Sequence, residues 1–201
     1  MLGRIAKPPT YQKYWLCEDR EIERDNQDFS YLTETGRESR VMDFIRFQPG
    51  ATVLDVGCCY GLFSFWMANQ GYQVTGIDKD PEVIDWCKEY GGIARFSKDN
   101  PRFEVADLAN YHGQFDIVLS LALIHHLWRQ HGLFKAMTLL ASLVAPGGVL
   151  YLEWISDMNK QNEKHICHLV TAGRGFFSNM EILGITRNVK NAFRFMVRFT
   201  K

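Results

Sequence analysis

The chain has 201 residues, 46% of them apolar, which suits one domain of ordinary size with a full core and excludes a disordered chain. Its 23 basic and 23 acidic residues cancel; zero net charge disfavours a general nucleic-acid coat, and no run approaches the roughly 18 apolar residues of a membrane span, so neither nucleic-acid binding nor membrane insertion is expected. The five cysteines are odd in number and Cys58 and Cys59 are adjacent, which is no disulfide framework, and Met1 to Pro9 lacks the apolar run of a signal peptide; both point to a reducing, cytoplasmic setting.

Residues 1–50 read as a helical cap on the same domain, with one or two helices before Gly36 and a better one from Arg37 to Phe47, where Val41, Phe44 and Ile45 share a face. Gln48 to Ala51 is a turn. Residues 51–201 then alternate. Strands are expected at Thr52–Val56, Gln73–Ile77, Arg102–Val105, Phe115–Leu123 and Val149–Trp154. Helices are expected up to Gln70, from Pro81, from His131 to Val144 and from Lys160 to Ala172. Pro81 suits a first helical position because its missing N–H would be unpaired there anyway. "ILGIT" and "AFRFMVRFT" are two final strands, too close together for a helical crossover, so at least one is antiparallel. The pattern implies an α/β, Rossmann-like, doubly wound and mostly parallel sheet, with helices on both faces and ligands at the carboxyl ends of the strands.

The stretch "VLDVGCCYGLFSFWMA", Val53 to Ala68, joins a strand to a helix through a glycine turn. A dinucleotide fingerprint needs Gly-x-Gly-x-x-Gly. Gly57 fills the first position, but Cys59 and Leu62 fill the others, and Cys59 puts a side chain where a pyrophosphate would approach the backbone. Asp55 would repel a pyrophosphate but could hold an ammonium group. Asp78, about twenty residues on at the next strand end, can accept from both hydroxyls of a ribose. A ribose, a cationic amine and no phosphate describe S-adenosylmethionine.

"VLDVGCCYG", "VTGIDKD", "FEVADLA", "FDIVLSLALIHHL" and "APGGVLYLEW" resemble, in that order, the motifs of class I S-adenosylmethionine-dependent methyltransferases, over Val53 to Trp154. The resemblance implies a seven-stranded sheet whose last strand is antiparallel and inserted beside the sixth. Within the class, "GCCYGLFSFWMANQGYQVTGID" and "LALIHHLWRQHG" are similar to methyltransferases of bacterial surface-glycan biosynthesis. The regions that would bind an acceptor carry the least resemblance.

The resemblance gives roles. Asp55 orients the Gly57 turn and meets the methionine amine, while Gly57 and Gly61 allow close approach. Asp78 takes the ribose, Lys79 and Asp80 flank the adenine, and Asp107 stands near its amino group with Leu108 as an apolar wall. Ser120 and Leu121 face the methionine portion. Of the paired histidines, His125 is the expected base for a hydroxyl acceptor and His126 its neighbour, active above the ordinary histidine pKa of about 6.5. Capping and packing are the other reading of that pair. His165, Cys167 and His168 lack the ligand pairs of a zinc site, so no metal is expected. Tyr11, Tyr14 and Trp15 form either a lid or a packing contact. Arg174, Arg187, Lys190, Arg194, Arg198 and Lys201, opposed only by Glu181, are either a solvated edge or a patch for an anionic substrate.

The function implied is methyl transfer to a hydroxyl or amine on a glycan or small metabolite. A non-catalytic or regulatory S-adenosylmethionine-binding domain is the first alternative, and a nicotinamide-dependent oxidoreductase the second.

Overall fold

The computed structural model describes residues 14–15, 21–22, 37–46, 48–93, 96, 99–157, 162–189 and 192–201. After a two-residue antiparallel ladder, β1 (Tyr14–Trp15) with β2 (Glu21–Ile22), comes α1 (Arg37–Phe44). Then follow β3 (Thr52–Val56), α2 (Leu62–Asn69), β4 (Gln73–Asp78), α3 (Pro81–Ile93) and β5 (Arg102–Val105). A 3₁₀ turn (Leu108–Asn110) leads to β6 (Phe115–Ser120), α4 (Ile124–His131), α5 (Leu133–Ser142) and β7 (Val144–Asp157). The chain closes with α6 (Asn162–Gly173), β8 (Asn179–Val189) and β9 (Ala192–Thr200).

Seven strands lie in the order β5-β4-β3-β6-β7-β9-β8. The first five are mutually parallel, and β9 runs antiparallel to both β7 and β8. The expected doubly wound sheet with an antiparallel last strand is therefore present. The winding reverses between β3 and β6, and that switch point leaves a crevice at the carboxyl ends of the strands.

Alternation along each strand builds two cores. Val53, Ile117, Leu119, Tyr151 and Met196 face α1, α2 and α3, meeting Val41, Leu62, Ile84 and Tyr90. Leu54, Val56, Val118, Leu150 and Leu152 face α4, α5 and α6, meeting Ile124, Leu127, Met137, Leu140 and Leu169. Each fully buried aliphatic side chain contributes roughly 1.5–3 kcal/mol, so these facing rows fix strand register. Tyr151 also ties the end of α1 to the sheet, its hydroxyl bridging the backbone N–H and C=O of Arg46 at 3.2 Å each.

Four expectations change. The fifth core strand runs Val144–Asp157 rather than Val149–Trp154, with Val144 already paired to Phe115. The fourth core strand stops at Ser120 rather than Leu123, because Ala122 turns left-handed at φ 55° and starts α4. The helix expected from His131 to Val144 is two helices broken at Gly132, whose φ 79°, ψ 149° is not helical. Tyr14–Trp15 and Glu21–Ile22 are strands within a region read as helical. The rest of the region before Gly36, Tyr11 included, lies outside the described residues, as do the side chains of Tyr14, Trp15 and His165.

Candidate functional site: a cleft at the switch point

β3 ends in a turn fastened to its neighbour. The N–H groups of Gly57 and Cys58 both donate to the Ile77 carbonyl, at 2.8 and 3.0 Å. Gly57 sits at φ 68°, and a Cβ there would lie 3.1 Å from Leu123, so glycine serves both the turn and the contact. Cys59 then adopts φ 51°, which costs a non-glycine residue roughly 1 kcal/mol or more. Three groups hold it there. Its N–H donates to Asp78 Oδ2 at 3.1 Å, and its carbonyl accepts from the thiols of Cys87 (3.4 Å) and Cys58 (3.6 Å). The hydrogen bond with Cys87 and, after it, burial push the Cys58 thiol up, so it stays protonated and donating. Cys59 and Ala122 are the two non-glycine residues with positive φ among those described; Cys59 bonds Asp78 and Ala122 precedes Leu123, and both of those partners border the crevice. Such strain clusters at functional sites.

Below the turn, the Asp55 carboxylate is buried and accepts from Ser64 Oγ at 2.7 Å, which clamps β3 to α2. Burial raises its pKa from 3.8 to about 6; the Ser64 bond opposes the rise and the nearby Asp78 charge adds to it. Asp78 ends β4 with both oxygens engaged by backbone, since Oδ1 accepts from the Asp80 N–H at 3.1 Å. Asp80 in turn accepts from the Glu82 N–H at 3.0 Å and caps α3. Asp107 accepts from the Ala109 N–H at 2.9 Å and so opens the 3₁₀ turn.

Beside the turn lies an open cavity of about 350 Å³. Gly57, Asp78, Lys79, Asp107, Leu108 and His126 of the expected set line it together. Asp55, Gly61, Ser120, Leu121 and His125 do not. Asp55 sits beneath the turn, and Gly61 is closed off because a Cβ there would strike Phe103 at 2.9 Å. Leu121 packs in the core, and the fully buried Ser120 Oγ has no hydrogen-bond partner among the described residues. Leu123, Leu127 and Gln130 also line the cavity, from the first turns of α4. Sequence reasoning missed them because it carried the strand through Leu123 and so put the helix face elsewhere.

His125 and His126 open α4 with ring centroids 4.1 Å apart. His126 is exposed on the cavity side, whereas His125 is half-buried, with its Nδ1 out of solvent and without a partner among the described residues. Burial lowers the His125 pKa from 6.5 to about 4, and His126, Arg194 and Arg129 push the same way; Glu153 alone opposes. The imidazole is therefore neutral at pH 7, and the ordinary histidine value read from the sequence is displaced.

The basic tail is largely engaged within the fold. Arg194 pairs with Glu153 at 3.0 Å and Arg198 with Glu181, while Lys201 Nζ donates to the carbonyls of Ala141 and Val144 at 2.8 and 2.7 Å. The side chain of Arg187 and the whole of Lys190 lie outside the described residues. Arg174, Cys167 and His168 are exposed.

A parallel sheet with this strand order, a glycine turn after its first core strand and an acid ending the second define the fold of the class I S-adenosylmethionine-dependent methyltransferases. Residues 54–152 match the family model described as a methyltransferase domain. A ubiquinone biosynthesis O-methyltransferase of Xanthomonas campestris pv. campestris (strain B100) is 38% identical over 109 residues, 54% of this chain and 44% of the relative. The corresponding protein of Xanthomonas axonopodis pv. citri (strain 306) is 37% identical over 113 residues, 55% of this chain and 46% of its own length. The chain thus spans less than half the length of these curated relatives. Among solved structures, the magnesium protoporphyrin IX methyltransferase of Synechocystis PCC 6803 with bound S-adenosylmethionine superposes with a TM-score of 0.61 at 24% identity, covering 76% of this chain and 71% of that one. WbdD superposes with a TM-score of 0.59 at 22% identity, covering 88% of this chain and 40% of that one. At those identities the likeness is one of fold.

Proposed function

We propose that this protein binds S-adenosylmethionine in the switch-point cavity and transfers its methyl group to a hydroxyl of a small molecule or glycan in the cytoplasm. The observation that carries the reading is Asp78. Its carboxylate is fixed by two backbone N–H groups at the end of β4 and borders a cavity whose other charged side chains are Asp107 and one lysine, Lys79. Two carboxylates and a single cation suit ribose hydroxyls and a cationic ligand far better than a pyrophosphate. The volume is of the scale of small-molecule sites, about 300 to 1,000 Å³. No helix among the described residues is long and apolar enough to cross a membrane.

The residues divide the work. Asp78 takes the ribose hydroxyls; Asp107 and Leu108 border the base, with Lys79 on the rim. Leu123, Leu127 and His126 close the α4 side of the cavity. Asp55 holds the turn to α2 through Ser64 and places negative charge behind it. Bound there, S-adenosylmethionine supplies a methyl group on a positively charged sulfur, which departs as a neutral thioether. The protein then has to align an acceptor oxygen, exclude water and receive one proton. His125, neutral and one residue from the cavity wall, receives the proton as the new O–C bond forms. The catalytic role belongs to His125, and His126 belongs to the donor side.

Asp78→Ala tests the reading. It leaves ribose hydroxyls without a partner, a loss of roughly 1–3 kcal/mol, so affinity for S-adenosylhomocysteine should fall about 5- to 150-fold while the fold persists. Unchanged affinity by calorimetry would remove Asp78 from the site.

A further inference from the structure

A second polar cluster stands apart from the donor cavity, on the opposite face of the sheet. Glu153, on β7, is fully buried and belongs to the row that faces α1–α3 by alternation with Tyr151. Its Oε1 accepts from Thr186 Oγ1 on β8 at 2.6 Å, and its Oε2 accepts from Arg194 Nη1 on β9 at 3.0 Å. Thr186 is buried as well, and Arg194 keeps 16% of its side-chain surface. Three strands therefore cooperate to hold one guanidinium by one nitrogen. Its Nε and Nη2 make no hydrogen bond to any described residue, and the exposed fraction of the side chain leaves them open to solvent.

The cluster lies beside the reacting end of the sheet. Glu153 follows Leu152, whose register partner is Ser120, the last residue of β6. Five residues after Ser120 comes His125, whose imidazole feels the charges of Arg194 and Glu153. A buried Arg–Glu pair contributes little net stability, because desolvation consumes most of the attraction, so stability alone gives no reason for it. A half-used guanidinium fork, by contrast, is well shaped for a planar or tetrahedral oxyanion.

We propose that Arg194, anchored by Glu153 and Thr186, is the acceptor-recognition residue, and that the acceptor carries an oxyanion, a carboxylate or a phosphate, next to the hydroxyl presented to His125. The inference rests on the methyltransferase reading and names its acceptor class. The charges facing His125 agree with it. Arg194 from β9, Arg129 from α4 and His126 from α4 bear on the ring with one sign, and Glu153 from β7 with the other. The balance is positive, so the space beside His125 prefers an anion. An anion seated there returns the imidazole toward its ordinary basicity, which a neutral acceptor would not do. Acceptor charge and general-base strength are thereby coupled.

The test uses the whole chain saturated with S-adenosylhomocysteine and three probes of similar size: benzoate, phenyl phosphate and benzamide. Binding is followed by the His125 ring resonance, assigned with His125→Gln. Benzoate or phenyl phosphate should shift that resonance and raise the His125 pKa by a unit or more; whichever binds tighter names the anion, and benzamide should do neither. Arg194→Met should weaken the binding tenfold or more, and Arg174→Met should leave it unchanged. If Arg194→Met fails to fold once Glu153 has lost that cation, the double variant Arg194→Met/Glu153→Gln removes both charges and takes its place. Equal binding of benzamide, no binding of either anion, or anion binding indifferent to the loss of Arg194 overturns the proposal. Saturation with S-adenosylhomocysteine is established first and separately. If it fails, the methyltransferase reading falls, while the same probes on the unliganded chain still decide whether Arg194 holds an oxyanion.

Discussion

Asp55→Asn should make the unliganded protein more stable at neutral pH and a poorer donor binder. The wild-type carboxyl titrates near 6 in the fold against 3.8 for the free group, a difference of about 2 units. At 1.36 kcal/mol per unit the ionised, desolvated form costs about 3 kcal/mol. The sign follows from linkage. A folded pKa above the unfolded one means that the folded state binds more protons between the two values. Stability therefore declines as pH rises from about 4 to about 6, and the whole penalty is present at pH 7. Asparagine carries no charge and can still accept from Ser64 through its side-chain oxygen. The assay is urea unfolding of both proteins at pH 4 and pH 7, in the absence of ligand. The gap between variant and wild type should move in the variant's favour by up to about 3 kcal/mol between the two pH values. S-adenosylhomocysteine should bind the variant more weakly, because the charge that costs stability is the one placed behind the turn, where it favours a cationic ligand. A gap that does not change with pH would show that Asp55 is not desolvated and would refute the reasoning.

Two further substitutions probe neighbouring parts of the site. Cys59→Gly relieves the left-handed conformation at φ 51° but frees the unfolded chain, so stability should change by less than about 1 kcal/mol and donor affinity should persist; a large loss by thermal unfolding would show that the cysteine side chain itself is needed. His125→Gln should lower turnover about a hundredfold, leave S-adenosylhomocysteine affinity intact, and abolish a kcat/KM limb that in the wild type falls as pH drops through about 4 rather than 6.5. A wild-type limb at 6.5 would mean that His125 is solvated in the free enzyme.

The core strands were legible because buried parallel strands read as short apolar runs between glycines and acids, as Thr52–Val56 shows with four of its five residues buried. Asp78 was read from its place at a strand's carboxyl end and Asp107 from the family resemblance; both border the cavity, and each also accepts from backbone N–H groups of the turn that follows. The α4 wall of the cavity was not. "SLALIHH" is apolar without a break, and only the left-handed Ala122 decides where strand gives way to helix. Gly61 was read as a ligand contact because helix-opening glycines often are, but here its missing Cβ makes room for Phe103. The Glu153–Arg194–Thr186 cluster joins residues 33 and 41 positions from Glu153, and no local pattern in the sequence announces such a contact.

The central claim is that the switch-point cavity takes S-adenosylmethionine, and calorimetric titration of the wild-type chain with S-adenosylhomocysteine, beside NAD at equal concentration, tests it most directly. Saturable binding of S-adenosylhomocysteine is predicted, with thermal stabilisation of on the order of 3 kcal/mol at a hundredfold excess over Kd and none from NAD. Binding of NAD without binding of S-adenosylhomocysteine would contradict the account and return the cavity to a nicotinamide cofactor.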